Sequence, residues 1–215
     1  MFVVAKITKI EVQKNNNQKA NLFLDEVFFS RIYLDTCVKY GLKSGLEIEE
    51  NKLKQIIDES EKKLAVNFAV NYIGSAIKTR KQIRDYLKKK EFDAESIEYV
   101  VSKLEEYKYI DDEAYVASYV NFYSSKYGKN KIINNLKAKG VSEKIIANFF
   151  EDNGEDFAEN AQNLCMEIAK KKARNLDLSD VKNVQKLSRF LIGRGFDYDE
   201  INYTINKLKS DTKWQ

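Results

Sequence analysis

Histidine and proline are absent from this 215-residue chain, glycine occurs eight times, and there are two cysteines and one tryptophan. Each absence excludes something. Without histidine the commonest general base is missing, and no nucleophile stands at a readable spacing from another base, so no enzyme activity is expected. Average usage would put proline at about 5% of residues, and its absence beside scarce glycine points to long helices with few breaks. Cys37 and Cys165 are isolated in sequence and lack metal-ligand spacing, which fits a reduced intracellular compartment. Apolar residues 2–5 are interrupted at once by Lys6 and Lys9, so neither a secretory leader nor a membrane span is expected and the protein is read as cytoplasmic. Gly193 and Gly195 flank Arg194 at a helix end, not at the strand-to-helix turn that cradles phosphate. No cofactor and no metal site are expected.

Charge of one sign is also lacking. Lysine and arginine number 37 against 33 aspartates and glutamates, a net charge of +4, so a uniformly basic coat for nucleic acid is excluded and any polyanion contact must come from local patches.

What is present is a repeat. Leu136, Val141, Ser142 and Ile146 follow a fixed grammar: a helical apolar residue, a turn at Gly140, an apolar residue, a capping residue and the next helix. Leu87, Phe92, Asp93 and Ile97 stand in the same relative places, as do Leu191, Phe196, Asp197 and Ile201. The copies lie 49 and 55 residues apart, a period of tandem helical units that bury apolar faces against neighbours. Glu91 stands where the other copies have Gly140 and Gly195, so the first turn must close differently.

In order along the chain, residues 4–12, 21–25 and 27–33 read as strands, with a turn at Asn15-Asn16-Asn17 and a bulge where Ile7 falls out of phase with Ile10 and Val12. Residues 35–40 form a short helix closed by Gly41. Residues 49–77 carry a helical stripe of one helix or two. Three-helix units make up the rest: the first opens with a helix near 61–76, followed by a helix over 80–90 capped by Thr79 and one over 95–107, and Asp111 or Asp112 caps the next. Then come the helix through Leu136 and one over 143–150. Residues 152–156 resemble a calcium loop faintly but lack its ligand spacing and read as a turn. The third unit has helices over 157–173, from Ser179 or Asp180 to Gly193, and over 198–208, with 210–215 a frayed tail. The expected fold is mainly α: three tandem three-helix repeats in an elongated curved array after a small β-rich N-terminal segment. Expected boundaries are 1–60, 61–110, 111–154 and 155–215.

Three basic stretches stand out. Lys126, Lys129, Lys131, Lys137 and Lys139 lie between residues 114 and 142 with no carboxylate between those limits. Lys182, Lys186, Arg189 and Arg194 repeat this over 181–196, and Lys170, Lys171, Lys172 and Arg174 form a third run. A charge run is usually a solvated face, but two on corresponding helices suggest a shared positive strip for an acidic protein groove or a phosphate backbone. Asp111 and Asp112 read as caps. Tyr119, Phe122, Tyr123 and Tyr127 read as packing residues before base-stacking ones, and Phe149, Phe150 and Phe190 as core.

The run KYGKNKIINNLKAKGVS at 126–142, Tyr109-Ile110-Asp111-Asp112 before it and RFLIGRGFDYDEI at 189–201 resemble the signature positions of the RecX family, regulators of the bacterial recombinase RecA. The resemblance extends through all three repeats and the N-terminal strands. It implies a RecA regulator in recombination, DNA repair and the SOS response. Such a protein would bind the RecA nucleoprotein filament on single-stranded DNA and reduce ATP hydrolysis, strand exchange and coprotease activity. Carried to matching positions, the binding candidates are Arg80, Lys81 and Arg84 in the first repeat, Lys126, Lys129, Lys131, Lys137 and Lys139 in the second, and Arg189 and Arg194 in the third. Weak direct contact with single- or double-stranded DNA would accompany this, and no membrane contact. The alternative is a helical DNA-binding module that competes for nucleic acid; it would need a recognition helix aimed at base edges.

Overall fold

A computed structural model describes residues 4–74 and 76–212, and residues 2 and 3 of the expected apolar start lie outside it. The chain forms two compact units. The first takes in the residues up to Ala76 together with Ile83–Tyr109; the second takes in Ile77–Gln82 and the chain from Ile110 onward.

The first unit begins with β1 (Val4–Gln13), β2 (Asn16–Leu24) and β3 (Val27–Tyr33), then α1 (Leu34–Tyr40), β4 (Glu47–Glu49) and α2 (Glu50–Ile73). The strands make an antiparallel sheet in the order β3-β2-β1-β4. Ala5, Ile7, Ala20, Leu22 and Ile32 of the sheet form one buried cluster with Leu53 and Ile57 of α2. A register shift between Ile7 and Lys9 supplies the expected bulge. The hairpin between β2 and β3 turns on Asp25 and Glu26, both with positive φ (46° and 69°), the backbone sense that matches strand twist. Neither is glycine, and β1 supports the turn: the Lys6 N–H donates to the Asp25 carboxylate at 3.1 Å and the Glu26 N–H donates to Thr8 Oγ1 at 2.9 Å.

Three expectations change here. Asn16 and Asn17 already belong to β2, so the first turn is Lys14-Asn15. β4 was not expected. The stripe over 49–77 is a single helix of 24 residues, α2, one of the two forms expected, and it ends at Ile73, short of residue 77.

α3 (Arg80–Lys89) and α4 (Ala94–Glu106) follow; from Ile83 onward they complete the first unit, with Leu87, Phe92, Ile97, Val100 and Leu104 buried. The second unit contains α5 (Asp112–Tyr123), α6 (Lys129–Ala138), α7 (Glu143–Asp152), α8 (Gly154–Ala173), α9 (Val181–Arg194) and α10 (Tyr198–Thr212). Val116, Ile132, Leu136, Val141, Ile146 and Phe150 center one core, and Cys165, Leu187, Leu191, Phe196 and Ile201 a second. Only Asn153 separates α7 from α8 where a longer turn was expected at 152–156. α10 continues through Thr212, so residues 210–212 are helical, not frayed; residues 213–215 lie outside the described residues. Among the described residues no helix is long and apolar enough to cross a membrane.

Candidate functional site

The repeated grammar of the sequence is a repeated turn. After α3, α6 and α9 the N–H groups of Phe92, Val141 and Phe196 donate to the carbonyls of Leu87, Leu136 and Leu191 at 3.2–3.3 Å, closing each helix on a left-handed residue. Those residues are Glu91, Gly140 and Gly195, with φ of 61°, 83° and 92°. Asp93, Ser142 and Asp197 then cap the next helix, accepting from the N–H groups of Ser96, Ile145 and Glu200. In the last case the Asp197 N–H donates back to the Glu200 carboxylate at 2.8 Å, a reciprocal capping box.

Two of the turns are occupied from outside by the start of another helix. At the α9–α10 turn the Gly128 N–H donates to the Arg194 carbonyl and the Asn130 N–H to the Gly195 carbonyl, both at 3.0 Å. A Cβ on Gly195 would lie 2.3 Å from the Lys131 backbone nitrogen, so the start of α6 reaches this turn only because residue 195 is glycine. At the α6–α7 turn, Thr79 Oγ1 donates to the Lys139 carbonyl at 2.7 Å and a Cβ on Gly140 would lie 2.4 Å from Lys81 Cβ. Thr79 is the expected cap: Gln82 N–H donates to its hydroxyl at 3.2 Å while its own N–H donates to Gln82 Oε1 at 3.0 Å. Among the described residues, no helix start bonds to the α3–α4 turn. Instead the Lys19 ammonium donates to the Lys90 and Glu91 carbonyls at 3.4 and 3.0 Å and sits 3.7 Å from the Glu91 carboxylate, which is how a turn without glycine closes.

These seams gather cations. Lys131 packs against Gly195, which follows Arg194 in the chain, and Lys81 against Gly140, which follows Lys139. They also adjoin a column of rings. Tyr115, Tyr119, Tyr123 and Tyr127 follow at four-residue spacing with centroids 5.9, 4.3 and 5.8 Å apart. Lys139 lies 5.7 Å from the Tyr119 centroid, Lys126 4.1 Å from Phe122 and 5.7 Å from Tyr123, and Arg194 6.0 Å from Tyr127 and 5.4 Å from Phe190. A ring face attracts a cation without canceling its charge. Tyr115 is buried, Tyr119, Tyr123 and Tyr127 half-buried, and Phe122 is 60% exposed, so packing accounts for the column but not for Phe122. Phe190, expected in the core, packs half-buried against the core around Leu187 and Leu191 and carries Lys172 as well as Arg194.

The other candidates are placed differently. Arg84 makes a double hydrogen bond to Glu98 at 2.7 and 2.8 Å, which lowers the Glu98 pKa. Lys137 pairs with Glu143 at 2.6 Å and lowers its pKa likewise. Arg80 faces the buried Asp112, whose carboxylate accepts the Arg80 N–H at 3.0 Å and its guanidinium at 3.4 Å. Asp111 caps its own helix α5, but the carboxylate of Asp112, the first residue of α5, accepts from the Arg80 N–H at the start of α3, a long-range partnership that no sequence spacing announces. Lys129 lies over Phe150 at 4.8 Å, and Arg189 is exposed on α9. Lys171 pairs with Glu167.

The chain resembles known proteins along nearly its whole length. Residues 5–49 match the regulatory protein RecX N-terminal domain, and residues 65–104, 111–148 and 159–205 match the first, second and third RecX three-helix domains. The regulatory protein RecX of Clostridium tetani is 33% identical over 208 residues, covering 95% of each chain, and that of Clostridioides difficile is 36% identical over 206, covering 94% of this chain and 95% of the relative. A crystal structure of regulatory protein RecX superposes with a TM-score of 0.64 at 26% identity over 94% of this chain and 99% of that one. The RecX structure from Lactobacillus salivarius shares the fold, with a TM-score of 0.62 at 24% identity over 70% of this chain and 98% of that one.

Proposed function

The chain belongs to the RecX family of regulatory proteins, and from that premise we propose that it restrains RecA by binding the RecA filament on single-stranded DNA. Binding reduces ATP hydrolysis, strand exchange and coprotease activity, and the protein turns over no substrate of its own. The repeats, taken as 61–110, 111–154 and 155–215, suit such a target, since a helical polymer presents the same surface at each subunit and tandem modules engage more than one.

The observation that carries this reading is the pair of seams at Gly140 and Gly195. At each seam a lysine of one helix start, Lys81 or Lys131, packs against the glycine, and the cationic residue just before that glycine, Lys139 or Arg194, lies over a tyrosine ring. Lys81, Lys126, Lys129, Lys131, Lys139, Arg189 and Arg194 form the contact surface for an acidic protein groove. Arg80, Arg84 and Lys137, each facing a carboxylate, play a lesser part. The test is DNA-dependent ATP hydrolysis by the cognate RecA with this protein titrated in. Substoichiometric inhibition is expected; no effect at several-fold excess over RecA would sink the proposal.

The second reading, a DNA-binding module, draws on Phe122, an exposed ring with Lys126 over it. Such a pair can stack on a base. Gel-shift with free single-stranded DNA at several salt concentrations separates the two.

A further inference from the structure

β3 is one of the two edge strands of the sheet, opposite β4. Over its seven residues there is no proline, and away from β2 its backbone pairs with no strand among the described residues. Such an edge is a template for another chain, and proteins commonly blunt it with proline, extreme shortness or a covering element. Here it opens on a groove of about 550 Å³. Residues 28–33 line one side of it, and Ile57, Asp58 and Glu61 of α2 with Phe92 and Asp93 of the α3–α4 turn line the other. A strand that faces a helix across a groove is a geometry that accepts an extended peptide, with main-chain bonds supplying affinity and alternate side chains supplying specificity.

The wall opposite the strand selects the occupant by charge. Glu61 is half-buried and accepts the Asp93 N–H at 3.4 Å, which holds two carboxylates close together. Burial, and then the Asp93 charge, raise the Glu61 pKa. Four carboxylates, of Asp58, Glu61, Glu91 and Asp93, line the groove against two cations, of which Arg31 stands exposed on β3 and Lys19 is committed within the fold: Lys19 is 3% exposed, donates to two carbonyls, and lies over the rings of Tyr33 and Phe92 at 4.8 and 5.8 Å. At the other end of the strand, Val27 and Phe28 are 69% and 52% exposed and offer apolar contact. We propose that this groove takes an extended segment of a partner protein, which adds to β3 as a further strand and sets a lysine or arginine against Glu61 and Asp93. The proposal uses only residues of the first unit and stands apart from the cations of the second.

A random linear peptide library displayed on phage and selected against the immobilized full chain tests this. Enriched peptides should carry lysine or arginine between β-branched residues and should slow amide exchange at residues 27–33. They should bind the Glu61→Lys chain at least about tenfold more weakly, as expected for a desolvated charge contact. Asp58→Lys provides the same comparison should Glu61→Lys unfold, which circular dichroism reports. The proposal is overturned by no enrichment above bare support, by enriched peptides without a basic residue, by protection elsewhere in the chain, or by β3 pairing with a second copy in a dimer that excludes peptide.

Discussion

At Gly195 a φ of 92° and a Cβ position 2.3 Å from the Lys131 nitrogen act on the same residue, whereas Gly41 has a φ of 63° and open space around it. Left-handed backbone costs an L-residue roughly 1–2 kcal/mol, so Gly41→Ala should lose about that much. Gly195→Ala must also displace α6 and should lose about 2–4 kcal/mol in urea unfolding; equal losses would mean that the helix start does not need the glycine. The two aspartates before α5 should likewise separate. Asp111→Ala removes a local cap and should cost about 1 kcal/mol. Asp112→Ala strips a buried acceptor from the Arg80 N–H and guanidinium and should cost about 2–3 kcal/mol, less than a fully buried pair because the Arg80 side chain is 37% exposed. Glu61 gives a pH dependence with a definite sign. Burial and then Asp93 raise its folded pKa, so its protonated form favors folding below the unfolded value, and that advantage is lost as pH rises through the folded pKa. Glu61→Gln should therefore gain stability relative to the parent as pH climbs from acid toward neutral, and a difference that stays flat across that range would contradict the assignment.

Among the elements, what was legible in sequence is what is settled within about five residues. The caps Asp93, Ser142, Asp180 and Asp197 and the turns at Gly41, Gly140 and Gly195 each close on atoms nearby in the chain, so their chemistry is written locally. β4 and the reach of Asp112 to α3 are not, because each depends on a partner far along the sequence. The basic runs were legible as charge but not as sites. Only the folded chain pairs Lys137 with Glu143 and Arg84 with Glu98, while seating Lys126, Lys139 and Arg194 over rings near α5. A graded outcome follows at this scale. Replacing Lys126, Lys139 and Arg194 together with glutamine should raise the concentration needed for half-inhibition of RecA by about tenfold or more, since desolvated interface cations account for much of binding. Neutralizing Arg84 and Lys137 should change it by less than about threefold, as exposed ion pairs contribute little. The reverse order in an ATPase titration would move the contact surface away from the rings.

For the molecule as a whole, a modest net charge of +4 separates the two modes of binding. A protein held to single-stranded DNA by phosphates releases counterions, and its affinity falls with salt at a log-log slope of about −0.7 per phosphate neutralized. Contact with a protein groove combines ion pairs with apolar and hydrogen-bonded contacts that salt screens far less. The cations at the Gly140 and Gly195 seams are interleaved with half-buried tyrosines, which suits the second kind of contact. Free-DNA binding should accordingly be weak at physiological salt, while inhibition of the RecA filament should persist at salt concentrations where free-DNA binding has vanished. Charge reversal of Lys126, Lys129 and Lys131 should weaken both modes and so cannot distinguish them; the salt series can. If inhibition of ATP hydrolysis instead declined in parallel with free-DNA affinity across that series, competition for the strand would account for the regulation, and the basic seams would be a nucleic-acid surface.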